Sequence, residues 1–246
     1  MNLTTFGLAS LIGMAATAPV AAVDPAHPTI RQMAGAPVAT SLDAAKTAVL
    51  VIDFQNEYFD ASAAPGLPVA AWSSPTAWPH CARRSGWSNC RRQWHRCDPR
   101  AACAAGRRAA VAQGSVNAAF HRDLQPRQGE TVVQKDNVSV FAGASAAVLD
   151  QVLKSAGIDT LIVTGLQTHA CVAGAARDAA AAPRGYRVIV ASDASASRDL
   201  DLAGGQRISH RALHEASLAQ IEDTFGDVMT TDAILALPVR KAGDGA

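Results

Sequence analysis

The chain of 246 residues carries no excess of charge of either sign: Lys plus Arg number 22, Asp plus Glu number 21, and the net charge is +1. That balance excludes a strongly basic nucleic-acid binder and an acidic disordered tail. Charge of any kind is sparse, at 17% of residues, where soluble domains carry about 25%. Aromatics are sparser still, at 5%. The hydrophobic fraction of 49% is inflated by 53 alanines, so large aliphatic side chains are fewer than it suggests. Cysteine is odd in number, five, and four of them crowd into one window, which gives no disulfide framework. Those four, Cys81, Cys90, Cys97 and Cys103, form no closely spaced pair of the kind that zinc requires.

Residues 1–23 lack charged side chains, and an apolar stretch runs through Phe6-Gly7-Leu8-Ala9-Ser10-Leu11-Ile12 toward a small-residue site at Val20-Ala21-Ala22. The pattern reads as a secretory signal over 1–22, without the usual basic residue near the start. Cleavage there places the protein in the periplasm or outside the cell; without it the protein stays in the cytoplasm. No other stretch is a transmembrane candidate. Residues 23–46 are rich in Pro and Ala and read as a linker to a domain over 47–240.

What is present in that domain alternates. Ala48-Val49-Leu50-Val51-Ile52 is an unbroken aliphatic run ending at Asp53, as suits a parallel strand buried on both faces. Similar runs start at Thr131, Thr160 and Tyr186, with a short one at Val228. Between them lie helical patterns: one capped by Ser145 and closed by Gly157, an Ala-rich one from Ala170 to Ala182, and one from Ile208 to Phe225. Strand and helix in alternation predict a three-layer, doubly wound α/β fold with a mostly parallel sheet.

One window breaks the pattern. From Ala70 to Ala110 there is no Val, Ile, Leu, Met, Phe or Tyr, while all four Trp, four Cys and eight Arg fall within it. A crossover helix and a second strand belong here, and no aliphatic strand can be built from these residues. The expectation is a disrupted first crossover and second strand. Arg, Ala, Pro, Cys and Trp are what GC-rich codons yield in a shifted frame, so residues 60–112 read as out of frame. A natural Trp/Arg-rich insertion is the rival, but an insertion adds residues without deleting a strand. Single-strand nucleic-acid binding by the Arg/Trp mixture has no accompanying fold.

Ligands of open α/β sheets bind beyond the carboxyl ends of the strands. Asp53, Lys135 and Cys171 all stand at or just past such ends. A thiol near a helix N-terminus and an ammonium is expected to be activated, and a carboxylate can take and return its proton. Each residue alone has a plainer reading: a buried small hydrophobe, a turn cap, a surface lysine. His210 and His214, four apart on a predicted helix, could pair on a metal or simply form a solvated face.

Three segments then carry a resemblance. Val51-Ile52-Asp53-Phe54-Gln55-Asn56-Glu57, Lys135-Asp136-Asn137-Val138-Ser139-Val140-Phe141 and Val163-Thr164-Gly165-Leu166-Gln167-Thr168-His169-Ala170-Cys171 together resemble the motifs of isochorismatase-like cysteine hydrolases. The resemblance implies a triad of Cys171, Asp53 and Lys135, a cis peptide at Leu166–Gln167, and an oxyanion hole from the backbone N–H groups of Gln167 and Cys171. Gln55, Phe141 and His169 are assigned to the substrate pocket. No metal or other cofactor is implied. The Asp-x-His element of the family's nicotinamidases is missing at all seven His, and true isochorismatases lack the nucleophilic Cys. The function implied is hydrolysis of an amide or related C–N bond through a thioester.

The competing readings are a catalytically silent relative that acts as a binding module, and a redox protein using Cys171. The expected partner is a small-molecule substrate, with no nucleic acid, no membrane once the signal is removed, and room for a homo-oligomer.

Overall fold

The computed structural model describes residues 26–59, 116 and 118–240, together with the backbone of 102–106. In chain order the strands are β1 (Leu42–Asp43), β2 (Thr47–Ile52), β3 (Ala102–Gly106), β4 (Thr131–Lys135), β5 (Thr160–Leu166), β6 (Arg187–Ala196), β7 (Leu200–Asp201), β8 (Arg207–Ile208), β9 (Asp227–Met229) and β10 (Val239–Arg240). The described helices are α1 (Ile30–Met33), α2 (Ala144–Ser155), α3 (Ala173–Ala180), α4 (His210–Thr224) and α5 (Thr231–Ala236), besides shorter helical turns.

Six strands form the main sheet in the order β4-β3-β2-β5-β6-β9, all pairings parallel. The order runs outward from β2 to one edge, then resumes at β5 and runs to the other. Ligand crevices of doubly wound sheets open at such a reversal. Side-chain alternation along β2 explains why its sequence reads as one aliphatic run. Val49 and Val51 join Ile162, Ile189, Leu42 and Ile234 in one apolar cluster. Ala48, Leu50 and Ile52 join Leu161, Val163, Leu149, Ala175 and Ile221 in the other. Both faces of the strand are therefore covered. On the second face the cover comes from α2, α3 and α4, and the small side chains of Ala175, Ala176 and Ala179 seat α3 with no exposure.

Three expectations change here. Ala102–Gly106 lies between β2 and β4 and pairs with both, so a second strand is present where none was expected. Ladder hydrogen bonds use backbone groups alone, and a run without a branched side chain supplies them. Residues 60–101, including all four Trp, lie outside the described residues, as does the proposed signal at 1–22.

Residues 26–46, expected as linker, are docked. Thr29 and Gln32 form a capping box on α1, the Arg31 guanidinium lies 2.7 Å from Asp227, and the Ala39 N–H donates to the same carboxylate at 2.8 Å. β1 then pairs with β10. Finally, α2 is capped at Gly143 rather than at Ser145, whose hydroxyl donates to the Val140 and Ala142 carbonyls. Gly157 does close this helix, with φ +66°.

Candidate active site

The site is assembled where the order of strands reverses. β2 and β5 run in register from Thr47 opposite Thr160 to Ile52 opposite Gly165. Gly165 has φ +139°, and a Cβ there would collide with the Ile52 carbonyl oxygen. Only glycine lets β5 approach β2 this closely at its carboxyl end. The next residue on β2 is Asp53, which has φ +54°, the sole non-glycine at positive φ among the described residues. This is an uncommon conformation for a residue with a Cβ, and it aims the carboxylate inward.

β5 continues through a cis Leu166–Gln167 peptide into a helical turn over Thr168–Val172, which leads straight into α3. Cys171 is the fourth residue of that turn and is 1% exposed. Lys135 reaches the same point from the end of β4. Its ammonium lies 2.8 Å from Asp53 Oδ2 and donates to Cys171 Sγ at 3.3 Å. Contacts to the Asn137 and Val138 carbonyls, at 3.1 and 3.3 Å, complete its surroundings. The three residues that the sequence places at separate strand ends thus meet around one nitrogen, all of them buried.

The electrostatics differ from expectation in one respect. Burial pushes the Cys171 thiol up to about 12, and the Asp53 carboxylate adds to the rise while Lys135 opposes it. Burial and the carboxylate thus act against the thiolate that the helix terminus and the lysine favour. Burial lowers Lys135, but Asp53 and then Cys171 outweigh it and hold the ammonium above its ordinary value. Asp53 and Lys135 form a buried ion pair beside the Cys171 sulfur. A carboxylate so placed can accept a thiol proton as the sulfur attacks, and the ammonium can hold the sulfur's developing charge.

The residues assigned to a substrate pocket scatter. Gln55 is 1% exposed and donates to the Ala118 carbonyl at 2.7 Å, fastening the 118–121 segment to the end of β2. Phe141 packs in the core against Tyr186, with the Arg184 guanidinium 4.9 Å from its ring centre. His169 alone is partly exposed beside the nucleophile, and its Nδ1 lies 3.0 Å from Ser197 Oγ.

Sequence reasoning missed the other anchor of the turn: Thr168 Oγ1 lies 2.8 Å from His214 Nδ1. His210 instead meets Asp199 at 2.9 Å. The two histidines of the candidate metal pair therefore face different partners, which their spacing alone could not reveal. Among the described residues, no group of three or more His, Cys, Asp or Glu is arranged to hold a metal ion.

Comparison with known proteins gives the family. The sequence profile described as Isochorismatase domain matches residues 47–233. A secreted isochorismatase effector of Verticillium dahliae is 33% identical over 122 residues, covering 50% of this chain and 59% of the relative. Maleamate amidohydrolase of Pseudomonas putida is 32% identical over 120 residues, or 49% of each chain. The chain thus spans about half the length of these curated relatives. An isochorismatase structure from Pseudomonas putida KT2440 shares the fold with a TM-score of 0.67 at 22% identity, covering 85% of this chain and 99% of that one.

Proposed function

The chain belongs to the isochorismatase family, and we propose that it is a cysteine hydrolase cleaving an amide or related C–N bond through a thioester on Cys171. One observation carries this reading: the Lys135 ammonium lies 2.8 Å from the Asp53 carboxylate and 3.3 Å from the Cys171 sulfur at the crevice between β2 and β5. The name of the maleamate amidohydrolase relative supports an amide as the scissile group.

Asp53 takes the thiol proton as Cys171 Sγ bonds to the carbonyl carbon of the substrate. The backbone N–H groups of Gln167 and Cys171 receive the oxyanion, and Lys135 steadies the carboxylate and sulfur. Asp53 then returns the proton to the nitrogen, the C–N bond breaks, and the amine leaves. Water attacks the thioester, its proton passing to Asp53. The C–S bond breaks and Cys171 regains its proton, so one amide and one water yield one acid and one amine.

The test is ammonia release from a panel of primary carboxamides and ureides, maleamate included, by the full chain and by Cys171→Ala. Turnover by the full chain and none by Cys171→Ala is the expected result. Equal turnover by both would overturn the reading. The silent-module alternative predicts no turnover by either but retained binding.

Export belongs to the same reading. The uncharged, apolar residues 1–22 support it, as does the secreted relative's name. Protein recovered from the periplasm should begin at Val23 on N-terminal sequencing. An intact Met1 in the cytoplasm would refute export.

A further inference from the structure

The proposed chemistry requires the turn at 168–172 to stay fixed, since it carries the nucleophile and one of the proposed oxyanion donors, the Cys171 N–H. Its first side chain, Thr168, is fully buried and meets His214 Nδ1 at 2.8 Å. His214 lies on α4, a different element, packed against the turn and β6. Burial disfavours the charged form of the ring, and in either neutral tautomer a single buried hydrogen bond joins Thr168 Oγ1 to Nδ1, so the turn is tied directly to α4.

We propose that Thr168 and His214 form a buried strut that fixes the nucleophile turn against α4, with both as positioning residues for Cys171. This rests on the cysteine-hydrolase reading and extends it to residues beyond the triad. α4 packs in turn on β6, the strand that pairs with the one feeding the turn. The Thr164 hydroxyl donates to the Ala194 carbonyl on β6, and His169 reaches Ser197 just beyond that strand. Among these links the strut alone joins the turn to a helix. Misplacement of a nucleophile by about 1 Å costs on the order of a hundredfold in rate, which sets the scale of the effect.

The experiment compares Thr168→Val, Thr168→Ser, His214→Phe and the Thr168→Val/His214→Phe pair in the full chain. Readouts are kcat and KM with a carboxamide that the unaltered protein turns over, and the iodoacetamide reaction of Cys171. The alkylation readout needs no substrate, so it reports on the turn even if hydrolysis proves not to be the function. Thr168→Val and His214→Phe should each lower kcat about 10- to 100-fold with KM nearly unchanged, and each should slow alkylation. Thr168→Ser, which keeps the hydroxyl, should stay close to the unaltered protein. The pair should lose no more than either single change, because either breaks the same strut.

Equal loss in Thr168→Ser and Thr168→Val would assign the effect to packing and overturn the proposal. So would additive losses in the pair, or unchanged kcat and alkylation in a folded Thr168→Val. Should Thr168→Val fail to fold, His214→Phe against Thr168→Ser decides by the same readouts.

Discussion

Replacing Asp53 by Asn should make Cys171 more reactive toward alkylation while abolishing turnover. Asn keeps the size of the side chain and tolerates the positive φ that Asp53 adopts. The carboxylate and the sulfur both contact the Lys135 nitrogen, at 2.8 and 3.3 Å, and so lie within about 6 Å of each other. A like charge at that range raises a thiol by about 1–3 pKa units, and Asp53 is a named cause of the rise in Cys171 to about 12. Removing it multiplies the thiolate population at neutral pH roughly tenfold per unit, while nucleophilicity falls with a Brønsted slope of about 0.4–0.5. The net gain in iodoacetamide rate is therefore about 3- to 60-fold.

Lys135→Met should act with the opposite sign. At 3.3 Å and an effective dielectric constant of about 20, the ammonium and a thiolate attract by roughly 5 kcal/mol. Its loss lifts the thiol further and slows alkylation at least tenfold. Second-order alkylation rates and the ultraviolet titration of the thiolate measure both variants. An Asp53→Asn variant that alkylates more slowly, or a Lys135→Met variant that alkylates faster, would refute this account of the electrostatics.

The remaining predictions use stability as readout. Lys135→Met leaves the buried Asp53 carboxylate without its cation and should cost about 3–5 kcal/mol in urea denaturation; no loss would mean that the pair does not form. Because Cys171 is raised from 9.0 to about 12 in the folded chain, the folded state holds a proton that the unfolded state sheds above pH 9. Stability should therefore fall as pH climbs through that window, by up to about 1.4 kcal/mol per pH unit from this group, and Cys171→Ala should flatten the slope between roughly pH 9 and 10. Gly165→Ala places a Cβ against the Ile52 carbonyl at an unfavourable φ and should cost more than about 3 kcal/mol or prevent soluble expression. Arg31→Ala should cost about 1–3 kcal/mol and expose residues 26–46 to proteolysis before the rest of the chain, because the Asp227 pairing that docks them is lost.

The sequence makes the central strands and the sheet edge that holds Asp53, Lys135 and Cys171 legible for the same physical reason. A strand covered on both faces is written as an unbroken aliphatic run, as at Ala48–Ile52 and Thr160–Val163, and in a parallel sheet the residues past such runs share one edge. Asp53, Lys135 and Cys171 can thus be placed along one edge of the sheet, while their grouping as a triad is what the family resemblance implies. Features that depend on backbone pairing or on single long-range contacts leave no such trace. Ala102–Gly106 joins the sheet through its ladder with a composition that suggests no strand. The arm at 26–46 docks through one guanidinium and a two-residue strand, invisible in its Pro/Ala composition. A helix terminus and a lysine near Cys171 can be read from sequence, whereas its burial and the facing carboxylate, which push the thiol up, cannot. Gln55 and Phe141 keep their places in the motif but serve the surrounding framework, the one bonding Ala118 and the other packed beneath Arg184.

Rapid-quench intact-mass analysis during turnover of a primary carboxamide tests the proposed thioester on Cys171 most directly. The account predicts a transient mass gain equal to the acyl group, mapped to Cys171 by peptide digestion and absent in Cys171→Ala. Ammonia should be released in a burst matching the acylated fraction if thioester hydrolysis is the slower step. Steady ammonia release by Cys171→Ala, or an acyl group mapped to any other residue, would contradict it.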